Sequence, residues 1–198
     1  MFTWDESIRK YRDDEGNIIE ETELRKWIDE MLKALAFLLI ARAETLRKDF
    51  TIDNFQIWNQ TTRTDINSLH YAMTMIAFGG SSEMDSERWT LAETVILTQL
   101  SYFDAFARDV FSGQYQMNGH FPVRTSLYAF AGYSTFINAV TIRESFAGRT
   151  EERRFTTSGN PCKTCEDESK KKWQPIGTLK NIGDSECLVR CRCYKKFR

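Results

Sequence analysis

The sequence predicts a mainly α protein: a helical bundle body over residues 1–150, followed by a small zinc-stapled β module over residues 151–198. Three observations carry that prediction. Apolar residues recur at three- and four-residue steps through long stretches of the first 150 positions. The helical period stops after Gly148, and all five cysteines fall within the last 37 residues. With 41% hydrophobic and 13% aromatic residues among 198, the chain can bury a real core, which excludes wholesale disorder. The longest apolar run, Ala34 to Ala41, is closed by Lys33 and Arg42 and falls far short of the ~20 residues a membrane-spanning helix needs. Asp5 and Glu6 stand where an export signal would be basic and then apolar, so a soluble protein of a cytoplasm-like compartment is expected.

Residues 1–22 read as a hairpin arm, because the turn-rich Asp13-Asp-Glu-Gly-Asn17 lies between Ile8–Tyr11 and Ile18-Ile19. From Glu23 the period becomes helical through Leu24, Ile28, Leu32, Leu35, Leu39 and Leu46. Phe37 and Ile40 widen that apolar face, as expected of a central helix. A loop carrying Phe50, Phe55 and Trp58 is expected next. Thr64 then offers the N-cap of a second helix through Ile66, Leu69, Met73 and Ile76, stopped at Gly79-Gly80. Thr90-x-x-Glu93 reads as a capping box for a third helix that ends near Gly113. After a turn with His120 and Pro122, Thr125 or Ser126 starts a fourth helix, with Gly148 as its C′ residue. Arg153 to Thr157 alternates like an edge strand and is expected to pair with Cys191 to Phe197.

The cysteines carry the clearest chemistry. Cys162-x-x-Cys165 is a knuckle whose thiolates can converge on one tetrahedral metal, and Cys187-x-x-x-Cys191-x-Cys193 follows about twenty residues later. A segment too small for its own core gains folding energy from a structural zinc ion. Four positions for five thiols leave one spare. Cys162, Cys165, Cys187 and Cys191 are the preferred set, and Cys193 can replace either of the last two if Arg192 lies in a strand. The odd count argues against a disulfide framework.

A catalytic centre has no signature. His70 falls on the apolar side of the second helix, as a core histidine would. His120 has no neighbouring cysteine, and Gly79-Gly80-Ser-Ser lacks the lysine and spacing of a phosphate loop. The acids at Asp13–Glu15 and Glu166–Glu168 read as solvated surface. No enzymatic activity is expected. Trp4, Phe50, Phe55 and Trp58, outside the helical spacing, are candidate docking aromatics.

Residues from about 123 to 198 resemble the C-terminal domain of the phage Mu F-like head morphogenesis family, the minor head proteins. The resemblance rests on Arg124-Thr125-Ser126 opening a helix, the strand Arg154-Phe-Thr-Thr157, the Cys162–Cys165 knuckle, Trp173-Gln-Pro-Ile-Gly177, and the closing Cys191-Arg192-Cys193. Ser126 stands where the family has an acid and Cys187 where it has a histidine, which implies an all-cysteine site. The family implies a virion component assembled in the host cytoplasm, with portal, capsid or neck proteins as partners and several symmetric copies, and it implies no catalysis. The alternative is a nucleic-acid-binding zinc module. Residues 160–198 hold ten cations and five anions, while the whole chain is −1. Lys170, Lys171, Lys172, Arg190, Arg192, Lys195 and Lys196 would supply a phosphate footprint, with Trp173 and Tyr194 for stacking.

Overall fold

Four long helices build the body: α1 (Glu21–Lys48), α2 (Ile52–Phe78), α3 (Ser86–Phe111) and α4 (His120–Phe146). They come from a computed structural model that describes residues 2–157 and 159–198. A three-stranded antiparallel sheet precedes them: β1 (Thr3–Asp5), β2 (Lys10–Arg12) and β3 (Ile18–Ile19), in that order. After α4 come β4 (Glu151–Phe155), α5 (Lys163–Lys170), β5 (Gln174–Pro175) and β6 (Tyr194–Phe197). The chain is thus a helical bundle with a small β module at its C-terminal end. No helix among the described residues is long and apolar enough to cross a membrane.

The expected hairpin forms, with Tyr11 opposite Ile19, but it is not a free arm. β1 adds a strand, and the sheet lies on the bundle. Trp4 N–H donates to Gly79 O at 3.3 Å. The buried Arg143 guanidinium, 3.6 Å above the Trp4 ring, donates to Tyr11 Oη (2.8 Å), Ala77 O (2.7 Å) and the buried Glu144 (2.7 Å). Arg9 reaches the same Glu144 from the sheet side.

α4, not α1, is the central helix. It is buried on nearly all sides, and both α1 and α2 pack mainly on it. From Thr125 to Ile142 it carries no charge, which suits a helix with little solvent face. The helices meet closely at Gly132, where an added Cβ would lie 3.0 Å from Leu32 and Leu69 side-chain carbons. In α1, Phe37 is 74% exposed, so the apolar face does not widen on that side.

Three helix starts lie upstream of the expected ones. Thr51, not Thr64, caps α2 and accepts from Asn54 N–H, so Phe55 and Trp58 are buried helical core rather than loop. Trp58 sits among Phe55, Phe103, Phe106 and Phe121 with ring centroids 5.3–6.1 Å away. Asp85, not Thr90, caps α3. α4 begins at His120 after Gly119, so His120 and Pro122 belong to its first turn and Thr125 is already interior. The C-termini fall as expected: Gly79 (φ 100°), Gly113 (φ 76°) and Gly148 (φ 78°) take up the left-handed conformation that ends a helix without a Cβ penalty.

Candidate metal centre

The module's sheet has the order β5-β4-β6, both pairs antiparallel, so β4 is the middle strand rather than an edge. Arg154 lies opposite Lys195 and Phe155 opposite Tyr194. The alternation of β4 turns Glu152 and Arg154 inward. Glu152 pairs with Lys195 at 2.8 Å, both side chains wholly buried. The second carboxylate oxygen of Glu152 accepts from Gly177 N–H (3.1 Å) and Leu179 N–H (3.0 Å), which pins the irregular loop after β5.

Arg154, equally buried, points at the cysteines. Its Nη2 donates to Cys165 Sγ and Cys191 Sγ, each at 3.3 Å, and to Ser185 Oγ at 3.0 Å, and its Nη1 donates to Lys180 O at 3.3 Å. No carboxylate pairs with it among the described residues. A buried guanidinium is costly unless an anion faces it, and here the facing atoms are sulfurs.

Cys162 caps α5 and Cys165 lies in its first turn. Cys187 and Cys191 flank a short 3₁₀ turn, Leu188–Arg190, which Leu188 enters with φ at 47°. This folding brings all five thiols together. Cys165 Sγ lies 3.5 Å from Cys187 Sγ and 3.6 Å from Cys191 Sγ, and Cys162 Sγ lies 3.6 Å from Cys187 Sγ. Cys162, Cys165 and Cys187 form one triad and Cys165, Cys191 and Cys193 a second, each with its sulfurs within 4.8 Å of one another. None is a disulfide. A Zn–S bond of about 2.3 Å in a tetrahedron separates sulfurs by about 3.8 Å, close to these spacings. The cluster can therefore hold a metal ion.

The electrostatics divide the thiols: Cys162 and Cys191 are held below their ordinary value, while Cys165, Cys187 and Cys193 are raised, Cys165 by burial first. The hydrogen bond from the Cys193 thiol, with Arg154 beyond it, pushes Cys191 down to about 4, and the same bond raises Cys193. Burial works against Cys162 as an anion, but the N–H groups of Cys165 and Cys187 hold it below its ordinary value. Burial and the neighbouring sulfurs raise Cys187.

The module is fastened to the bundle. Cys165, Ile182, Cys191 and Cys193 belong to the same buried cluster as Leu24, Leu32, Leu69 and Tyr133. Arg192 binds Asp29 of α1 at 2.9 Å, and its guanidinium lies over the rings of Phe130 and Tyr133. Gly183 (φ 102°) sits against Ser134 of α4, where a Cβ would come within 3.0 Å.

The basic residues are dispersed by comparison. Lys195 is buried on Glu152, Lys170 pairs with Glu166 (2.6 Å), and Lys171 pairs with Glu168 (2.8 Å). Lys172, Arg190 and Lys196 are exposed without an acidic partner among the described residues. The Trp173 ring lies under Arg198, and Tyr194 lies between Phe155 and Arg25. Glu168 is buried, not solvated, and accepts from Lys180 N–H at 3.3 Å. His70 is core: its Nδ1 lies 2.8 Å from Thr135 Oγ1, and burial lowers it to about 4. The charge partners Arg154 and Glu152 had no signal in the sequence beyond their two-residue spacing on β4. No family model, curated protein or solved structure matches the chain.

Proposed function

We propose that this protein is a non-enzymatic structural component of phage head assembly, whose C-terminal module is held in shape by one structural zinc ion. The observation that carries the metal reading is the buried Arg154, whose guanidinium donates to two cysteine sulfurs and has no carboxylate within ion-pair distance among the described residues. Zinc fits a closed all-sulfur set, because four thiolates fill its tetrahedron and leave no position for a reacting water. Cys162, Cys165, Cys187 and Cys191 would hold the ion, with Cys193 donating its S–H to Cys191. The ion would fix the two cysteine loops on β4 and so fix the module against α4, giving a rigid face for docking. The head-assembly reading is supported by the resemblance of residues 123–198 to the minor head proteins. Portal, capsid or neck subunits are its expected partners, in a symmetric multi-copy setting.

Elemental analysis of protein purified without added zinc tests the metal, with about one zinc per chain expected. A ratio near zero with five freely titrating thiols refutes it. Localisation in purified particles tests the assembly role. Recovery only with host proteins and never with portal, capsid or neck subunits refutes that role. DNA binding has less support, since four of the seven candidate cations are paired within the molecule. Retention on DNA that weakens steeply with salt would favour it instead.

A further inference from the structure

A groove of about 500 Å³ runs between α3 and α4. α3 rests on α2 and makes little contact with α4, so the groove stays open along much of its length. Leu91 and Val95 of α3, Leu127 and Ile142 of α4, and Leu188 and Val189 of the 3₁₀ turn line it. α3 carries no charge from Thr94 to Phe103 and α4 none from Thr125 to Ile142, in a chain with 28% charged residues.

The outward ridge of α3 beside this groove is also uncharged and dry in character. Leu97 is 68% and Tyr102 58% exposed. Along the same stretch the small hydroxyls donate within the helix: Thr94 to Thr90 O (2.9 Å), Thr98 to Thr94 O (2.9 Å) and Ser101 to Thr98 O (2.7 Å). The threonine and serine hydroxyls of this ridge already have an acceptor for their protons, and these small residues let another helix approach closely.

Two charged residues line the groove, one of each sign. Arg124 lines one end, and Asp184 lies farther along the same groove. Both are exposed, and neither has an ion-pair partner among the described residues. Gly183 packs on Ser134, ten residues or about 15 Å of helix from Arg124 along α4 at 1.5 Å per residue, so Asp184 lies near the middle of the groove. The buried Asn138 Oδ1 in the same wall lacks a hydrogen-bond partner.

We propose that a second copy of this chain occupies the groove in a two-fold arrangement, the α3 ridge of each copy entering the groove of the other. In that arrangement Arg124 of one copy faces Asp184 of the other, twice. A two-fold contact must be self-complementary. This surface meets that demand: one ridge, one groove and one charge of each sign lie side by side. The arrangement does not require the metal, although Cys187 and Cys191 flank the turn that carries Leu188 and Val189.

Light scattering and sedimentation of the full chain over a wide concentration range test the proposal, with metal content and helical signal checked in every sample. The wild type is expected to form a dimer. Arg124→Glu and Asp184→Lys each place two like-charge pairs across the interface and should weaken association tenfold or more. Mixing the two variants should restore the dimer, because both cross-pairs then become opposite in sign. A monomeric wild type overturns the proposal. So does an assembly larger than a dimer, association unchanged in the single variants, or a mixture that stays monomeric. Zinc content enters none of these outcomes, so failure here is distinct from failure of the metal reading.

Discussion

Replacing Arg154 by methionine isolates the electrostatics of the cysteine cluster, because the shape is nearly kept while the charge and its donors go. The guanidinium faces two sulfurs at 3.3 Å. A unit charge at that distance from a full negative charge gains about 5 kcal/mol at an effective dielectric of 20. Four thiolates on a divalent ion share two negative charges, so about half of that applies to each sulfur, or about 5 kcal/mol in all, before the several kcal/mol of burying the guanidinium. The net should resemble other partners one shell outside a metal: a loss of about 10- to 100-fold in affinity, or about 1.4–2.8 kcal/mol. Competition for zinc against a chelator of known affinity measures it directly. Arg154→Lys, which keeps the charge but not the fork, should fall between. Wild-type affinity in Arg154→Met would falsify the view that these sulfurs are anionic and held by this charge.

Gly79→Ala should cost about 1–2 kcal/mol for the left-handed conformation alone. It should cost more from a Cβ placed 2.8 Å from Trp4 N and against Trp4 Cβ, which would push the N-terminal sheet off the bundle. Near-ultraviolet circular dichroism and thermal melting check this, and an unshifted melt refutes the close approach. Lys195→Met leaves Glu152 buried without its partner and should destabilise by about 3–5 kcal/mol. The double variant Lys195→Met, Glu152→Met should recover part of that in urea titrations, and no recovery refutes the coupling. His70 is held neutral by burial, with its pKa lowered from 6.5 to about 4, so the unfolded chain binds the extra proton first as pH falls. Stability is therefore unaffected above pH 6.5 and falls by about 1.4 kcal/mol per unit toward pH 4. His70→Gln should flatten the slope between pH 6.5 and 5, and an unchanged slope contradicts the assignment.

The C-terminal ends of α2, α3 and α4 were legible because glycine leaves a mark at each, whereas α1, capped by Asp49, has none. The N-terminal ends were not, for one shared reason. Thr64, Thr90 and Thr125, all expected as caps, are interior threonines whose hydroxyls donate to the carbonyl four residues back: Gln60 (3.1 Å), Ser86 (2.8 Å) and Phe121 (3.0 Å). A threonine satisfied in this way looks in sequence like one that caps. Asp85 precedes a polar first turn, Ser86-Glu-Arg, that shows no period, whereas after Thr51 the buried Phe55 and Trp58, three apart, already carry the helical spacing. The convergence of the cysteines followed from spacing, since a metal-binding knuckle is a local device. Arg154 and the centrality of α4 depend on contacts between distant segments, though the uncharged stretch of α4 was the available clue. Of the watched aromatics, Phe55 and Trp58 proved to be core.

The dependence of α1 and α2 on α4 bears on how the chain is made. Their apolar stripes, with Leu24, Ile28 and Leu32 on the first, find their main cover only in a helix that starts 72 positions after α1 ends. At about 5–20 residues per second, a ribosome leaves those stripes uncovered for about 4–15 s. Nascent chains arrested before His120 should therefore be held by chaperones, and chains arrested once Phe146 has cleared the exit tunnel should be released.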